Sequence, residues 1–176
     1  FIGAGNMANS IIKGMIKNNL TSEENIFIYD IVDVVKENIS KKHGVVSCNS
    51  NEEVAKNADV LIIAIKPNTF ANALPEIKET INFNRTIVIS IAAGKSFEKI
   101  NRYLEYDGPI IRVMPNINAE VLESMSGICG NKNCTIEDIK IAKDIFSAIG
   151  ETVILDEEDF SIFTAIAGCS PAYTYM

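Results

Sequence analysis

Hydrophobic residues recur along this chain in two alternating rhythms. Short, nearly unbroken apolar runs such as Val60-Leu-Ile-Ile-Ala64 and Thr86-Ile-Val-Ile-Ser90 read as strands covered on both faces, because a half-exposed strand would alternate polar and apolar positions. Longer stretches carry apolar residues three and four apart, as in Ile11, Ile12, Met15 and Ile16, which is the period of a helix with one buried stripe. The pattern predicts strands over Phe1–Gly3, Asn25–Tyr29, Val45–Val46, Val60–Ala64, Thr86–Ser90, Ile110–Val113, Ser126–Cys129 and Thr152–Leu155. It predicts helices over Met7–Lys17, Val34–Lys42, Asn51–Lys56, Thr69–Glu79, Ser96–Leu104 and Ile136–Ile149. Strand and helix alternate, so the expected class is α/β, with a doubly wound, mainly parallel sheet.

Polar punctuation supports several of these boundaries. Thr135-Ile-Glu-Asp138 fits a capping box, in which the first and fourth side chains satisfy each other's backbone amides. Ser96 followed by Lys99 offers a helix start without the matching acid, and Gly150 after Ile149 reads as a helix-ending glycine. Gly14, inside the first helix, reads as a close-packing contact. The acidic run Asp156–Asp159 breaks the apolar rhythm, which places a domain boundary there. Residues 1–155 then form one unit and residues 156–176 open another, in which Phe160–Met176 favours helix. Repeats and low-complexity tracts are absent from the sequence.

Composition narrows the function classes. The 176 residues are 47% apolar, enough for a sizeable core, and the 22% charged fraction is ordinary for a globular chain. A net charge of −7 without any Lys/Arg cluster argues against a nucleic-acid duplex or a membrane surface as the main partner. No apolar run approaches the ~20 residues of a membrane-spanning helix. Cys48, Cys129, Cys134 and Cys169 are scattered without C-x-x-C pairing, so no metal site is expected and the thiols read as reduced, in a cytoplasmic protein. His43, the single histidine, sits beside Gly44 at a predicted helix end, where a dipole or capping role is expected rather than catalysis.

The candidate chemistry begins at Gly3, Gly5 and Ala8, spaced G-x-G-x-x-A between a strand and a helix. In a Rossmann-like dinucleotide site the first glycine permits the turn, and the second lets the backbone approach a pyrophosphate. The alanine lets the helix lie close to the sheet, and its N-terminal amides face the phosphates. Only two strand residues precede the turn and no initiator Met, so upstream residues are expected to be missing. Asp30 ends the second strand, about 20 residues past the turn, where such folds place an acid that reads ribose hydroxyls; the alternative is a turn-forming aspartate. No Arg or Lys follows it until Lys36. Ala64-Ile-Lys-Pro67 and Ser90-Ile-Ala-Ala-Gly94 each follow a strand, where ligands bind in parallel sheets. Lys66 either reaches the cofactor or is a solvent residue ahead of a proline that starts a helix. Asn116, in Arg112-Val-Met-Pro-Asn116, offers either a carboxamide contact or an Asx turn.

Five segments, FIGAGNMA, AIKP, ISIAAG, RVMPN and AGCSPAY, resemble in order and spacing the pyrroline-5-carboxylate reductase family. Where that family carries S-G-S-x-P-A-Y, this chain has Ala167-Gly-Cys-Ser-Pro-Ala-Tyr173, a change expected to alter packing more than activity. The resemblance implies a Rossmann-type dinucleotide-binding domain and a C-terminal all-helical dimerisation domain that this chain only begins. It implies NADPH- or NADH-dependent hydride transfer to 1-pyrroline-5-carboxylate, giving L-proline, in a homodimer or higher homo-oligomer. A protonated imine is already electrophilic, so no residue is assigned as a catalytic acid or base. By family match, Ile2, Gly3, Ala4, Gly5, Asn6 and Met7 hold the pyrophosphate, and Asp30 with Asn51 lies near the adenosine ribose. Ala64, Ile65, Lys66 and Pro67, with Ile91, Ala92 and Ala93, line the nicotinamide half, and Asn116 lies near the reacting ring. Asp30 should repel a 2′-phosphate, so NADH is the expected preference. The family's later loop that grips the substrate carboxylate is not in the chain, which by itself is expected to bind cofactor but to turn over substrate poorly. Two other functions fit the same features: a related imine or β-hydroxyacid-type dehydrogenase, and a non-catalytic dinucleotide-binding regulatory module.

Overall fold

The predicted strands other than Phe1–Gly3 form, and the amphipathic stretches become helices, in the computed structural model, which describes residues 1–82 and 86–174. The expected helical tail extends to Tyr175 and Met176, which lie outside the described residues. In chain order the main elements are α1 (Asn6–Lys17), β1 (Phe27–Ile28), α2 (Asp33–His43), β2 (Val46–Ser47), α3 (Asn51–Asn57) and β3 (Val60–Ile63). They continue with α4 (Phe70–Ile77), β4 (Ile87–Ser90), α5 (Phe97–Leu104), β5 (Ile110–Met114), β6 (Ser124–Gly130), α6 (Ile136–Ser147) and β7 (Gly150–Ile154). The tail comprises α7 (Phe160–Phe163), a π-helical turn over Thr164–Gly168, and α8 (Ser170–Thr174).

The strands form a β1-β2 pair and a five-stranded sheet in the order β3-β4-β5-β6-β7. The predicted strand Phe1–Gly3 appears as a single bridging residue, Ile2, paired in parallel with both Tyr29 and Ile63. Its backbone hydrogen bonds, Ile2 N to Ile62 O at 2.9 Å and Ala64 N to Ile2 O at 2.8 Å, stitch the two sheets into one surface. Side chains alternate across this surface. Ile62, Ile89 and Ile111 meet Ala8, Ile11, Ile12, Phe146 and Ile149 on one face, while Leu61, Ile63, Val88 and Ile110 meet Val54, Phe70, Leu74 and Leu104 on the other. Two cores sandwiching one sheet are the physical content of a doubly wound α/β fold.

The structure departs from the sequence expectation at definite points. β6 runs antiparallel to β5, pairing Ile111 with Gly130 and Met114 with Gly127, whereas the other ladders are parallel. The β5–β6 connection is a short 3₁₀ turn at Ile117–Val121, and a parallel return needs a crossover of a dozen or more residues. Asn25 belongs to a 3₁₀ turn over Glu23–Asn25 rather than to β1. Thr69 closes a separate 3₁₀ turn, Pro67–Thr69, ahead of α4. Gly150 does not cap α6, which ends at Ser147 with Ala148 as its right-handed cap. It opens β7 at φ +145°, where a Cβ would lie 2.1 Å from the Ser124 carbonyl oxygen, so close strand contact is what requires glycine. The capping box at Thr135 and Asp138 forms as expected. Gly14 is a packing contact, its absent Cβ leaving room for the Ala148 carbonyl oxygen 2.6 Å away.

Candidate nucleotide and substrate site

Parallel strands place their carboxyl ends on one edge, and the candidate residues fall along it. The glycine turn follows Ile2, Asp30 follows β1, Ala64–Pro67 follows β3, Ile91–Ala93 follows β4 and Asn116 follows β5. Gly3 adopts φ +92°, and a Cβ there would press to 2.8 Å from the Ala64 carbonyl oxygen. Gly5 has an ordinary extended backbone as the N-cap of α1. A Cβ on Gly5 would meet nothing within 4 Å, so no neighbour within the protein demands glycine here, and the space in front stays open. The N-terminus of α1 has neither a side-chain cap nor an acidic residue in its first turn. The first helical bond is Asn9 N to Gly5 O, which leaves the Met7 and Ala8 amides free for an anion. Ile2, Gly3, Ala4 and Ala8 are buried beneath the turn, whereas Gly5 and Asn6 are exposed and Met7 is half-buried.

Asp30 makes the local turn and also braces the glycine turn. One carboxylate oxygen accepts from the Ala4 amide at 2.9 Å, tying the glycine turn to β1. The other accepts from the Val32 amide at 2.9 Å, the bond of a local aspartate turn. Each oxygen keeps a lone pair for a hydroxyl donor. Asp30 lines a cavity of about 190 Å³ with Tyr29, Asn51, Ile65 and Glu76. Asn51, 7% exposed, starts α3 and donates through Nδ2 to Glu76 Oε2 at 2.8 Å. Glu76 lies outside any motif; only the packing of α4 beside α3 brings it here. Lys36 Nζ lies 5.3 Å from the Tyr29 ring centroid and 3.1 Å from Asp33 Oδ1.

The loops after β3 and β4 lie side by side, joined by Ile91 N to Ile63 O at 3.2 Å. Pro67 starts the 3₁₀ turn ahead of α4 and Lys66 is exposed as its N-cap, the geometry expected of a solvent lysine before a helix-starting proline. Asn116 lines a separate cavity of about 310 Å³ with Asn6, Met7, Ser10, Pro115 and Gly168. Its Oδ1 accepts from the Asn118 amide at 3.2 Å, making the Asx turn. Its Nδ2 donates to the Ala167 carbonyl at 3.0 Å, holding the π-helical turn against the sheet. The carboxamide thus joins tail to sheet and retains one N–H. A cavity of about 480 Å³ lined by Phe1, Phe27 and Val60 lies at the opposite, amino edge of the strands, away from the ligand-binding edge of such sheets.

A second anchor, missed in the sequence, sits at Arg112. Its Nη1 pairs with Glu157 Oε1 at 2.9 Å, and that oxygen also accepts from the Phe97 amide at 2.8 Å. The guanidinium lies 4.4 Å from the Phe160 ring centroid. Cys129 faces Arg112 across the β5–β6 ladder. Burial is the largest influence in pushing the Cys129 and Cys134 thiols up to about 11, so both are poor nucleophiles. His43 ends α2 with Gly44 as its left-handed cap, and its Nε2 lies 2.7 Å from Asn9 Oδ1 on α1. Burial, then Lys42 and Lys13, hold its pKa below the usual 6.5. Among the described residues no helix is long and apolar enough to cross a membrane.

Comparison with known proteins agrees with this fold. A family model described as NADP oxidoreductase, coenzyme F420-dependent, matches residues 1–94. A pyrroline-5-carboxylate reductase of Methanosarcina acetivorans is 37% identical over 175 residues, covering 99% of this chain and 64% of that protein. The structure of a pyrroline-5-carboxylate reductase from Coxiella burnetii superposes with a TM-score of 0.92 at 29% identity, covering 99% of this chain and 65% of that one. A Plasmodium falciparum pyrroline carboxylate reductase with NADP bound gives 0.88 at 32% identity, covering 99% and 63%. The chain thus spans somewhat under two thirds of the length of these proteins. It belongs to the NADP oxidoreductase, coenzyme F420-dependent family, and along its whole length it is similar to pyrroline-5-carboxylate reductases.

Proposed function

We propose that the protein containing this chain reduces 1-pyrroline-5-carboxylate to L-proline with a nicotinamide dinucleotide. The observation that carries the reading is similarity over 99% of the chain to reductases of that name. The open, uncapped turn at Gly5 supports the cofactor assignment, because it offers free amides and no Cβ where a pyrophosphate would approach. When bound, the cofactor supplies the hydride that adds to the C=N carbon; the imine nitrogen carries the proton, so the products are the amine and the oxidised cofactor.

In this reading the turn Ile2–Met7 holds the pyrophosphate through the free amides at the start of α1, and Asp30 with Asn51 receives the adenosine ribose. The small and rigid loops Ala64–Pro67 and Ile91–Ala93 form a wall for the flat nicotinamide ring. The free N–H of Asn116 faces the reacting end. The chain's contribution is alignment and exclusion of water rather than proton transfer by a strong base. Residues 1–155 act as the nucleotide-binding unit. Residues 156–176 begin a helical unit that pairs with a second copy, a role supported by the exposed Ile162, Ile166 and Tyr173. The four free cysteines fit a cytoplasmic setting. Asp30, with no cation on its cavity wall, favours NADH over NADPH.

Steady-state kinetics on the full-length protein test this. Proline formation is expected with both cofactors and a higher kcat/KM for NADH. Asp30→Ser should raise the NADPH/NADH ratio about tenfold, the equivalent of ~1.4 kcal/mol. Absence of pyrroline-5-carboxylate reduction with either cofactor overturns the activity, and a ratio that Asp30→Ser leaves unmoved overturns the preference.

A further inference from the structure

We infer that Glu76 is a specificity-determining residue that acts through Asn51 by fixing which way that carboxamide faces the nucleotide. The inference rests on the proposal that a nicotinamide dinucleotide binds along this edge. An asparagine side chain can present either an acceptor or donors, and its orientation is set by its partners. A carboxylate only accepts, so Glu76 Oε2, 2.8 Å from Asn51 Nδ2, commits the amino group to α4. Asn51 Oδ1 has no protein donor among the described residues, although the residue is only 7% exposed. No fully buried side-chain oxygen or nitrogen among the described residues lacks a partner, so Asn51 Oδ1 is an accessible acceptor, on the wall of the cavity that also holds Asp30, and it can receive a ligand's donor.

Asp30, Asn51 Oδ1 and Glu76 place acceptors and two carboxylates on this wall, beside the neutral Tyr29, Thr69 and Asn72 and with no cation in the lining. A ribose diol supplies two hydroxyl donors and fits that set. A 2′-phosphate brings two negative charges and acceptors only, and it would face both carboxylates. The cation close by, Lys36, is engaged by Asp33 at 3.1 Å and lies over the Tyr29 ring. Asp30 alone is a familiar kind of discriminator in such folds; Glu76 extends discrimination to α4, beyond the reach of any short motif. The simpler possibility is that the Asn51–Glu76 bond only braces α3 against α4.

Binding of NADH and NADPH to the full-length protein, followed by calorimetry, separates these. Glu76→Gln keeps the shape and a hydrogen bond but loses the charge; Glu76→Ala frees Asn51 to turn its amino group toward the ligand. Both variants should lower the ratio of the NADPH to the NADH dissociation constant about tenfold, as expected for removing one like charge near a surface. The NADH constant should move less than about threefold, since its diol keeps the Asp30 acceptor. Thermal unfolding of each variant reads any bracing role on its own. An unchanged ratio with both cofactors bound overturns the role of Glu76 and leaves a brace. Failure of the unsubstituted full-length protein to bind either cofactor overturns the nucleotide reading itself, and the inference with it.

Discussion

Gly3 and Gly5 stand two residues apart in one turn, yet physics asks for glycine at each for a different reason. Gly3 needs it for the fold, because φ is +92° and a Cβ would strike the Ala64 carbonyl. Gly5 needs it for nothing within the protein, since its backbone is ordinary and the space beside it is open. Gly3→Ala should therefore cost about 1–3 kcal/mol of stability from backbone strain alone. Gly5→Ala should cost less than ~1 kcal/mol but weaken NADH binding at least about tenfold, as a methyl group intrudes where the phosphates approach. Denaturant unfolding and calorimetry on both variants check this, and equal stability losses would contradict the division. Such residues are readable from sequence because the demand is local. Asp30 was readable for the same reason, although its bonds to Ala4 and Val32 were not. Glu76 and Arg112 were hidden because their partners, Asn51 and Glu157, are brought to them only by packing of distant elements.

At the level of elements, local chemistry again separates what the sequence reveals from what it conceals. The α6 start is visible in four letters, and the structure closes both halves: Thr135 Oγ1 accepts from the Asp138 amide at 3.2 Å, and Asp138 Oδ2 accepts from the Thr135 amide at 2.7 Å. Thr135→Ala should cost about 1 kcal/mol, measured by urea unfolding; no change would mean that α6 is held by packing alone. The helix packs through Ala142, Ile145 and Phe146, and removal of its cap touches none of these. The direction of β6 is a different matter. Apolar runs carry no sign of direction, so Ser126–Cys129 looked like its parallel neighbours. The clue lay in the connection: the stretch after Asn116 has no helical period, and without a crossover helix the chain turns back on itself. Gly150 misled in the opposite way, since a glycine after a helix resembles a cap whether it serves the helix or the strand beyond.

Across the whole molecule, α1 and α2 are tied by the His43–Asn9 contact, and this gives stability a pH dependence of known sign. Burial, Lys42 and Lys13 hold His43 below its usual 6.5, so the folded state favours the neutral ring. The contribution is fully present above the unfolded value of 6.5 and is lost as pH falls below it toward the lowered folded value. Urea unfolding between pH 7.5 and about 5 should show a shallower decline for His43→Gln than for the unsubstituted protein. Parallel curves would remove His43 from the account. The general architecture, two cores about a mainly parallel sheet, was legible because alternation of strand and helix is a property of the entire chain. How the tail sits on the sheet was not, since Asn116–Ala167 and Arg112–Glu157 join positions far apart in sequence.

Those two joints divide the molecule's capacity for change. Asp30, Asn51 and Glu76 all fall inside residues 1–94, the span shared with the wider oxidoreductase family. Asn116, Arg112 and the segment they grasp fall outside it. A lineage could exchange one nucleotide for another by altering the first region without disturbing the grip on the tail. Remodelling the far end requires compensating changes on both sides of each joint. On the proposed reading, cofactor choice can therefore change by itself, while Asn116, Arg112 and the tail segment they hold must change together.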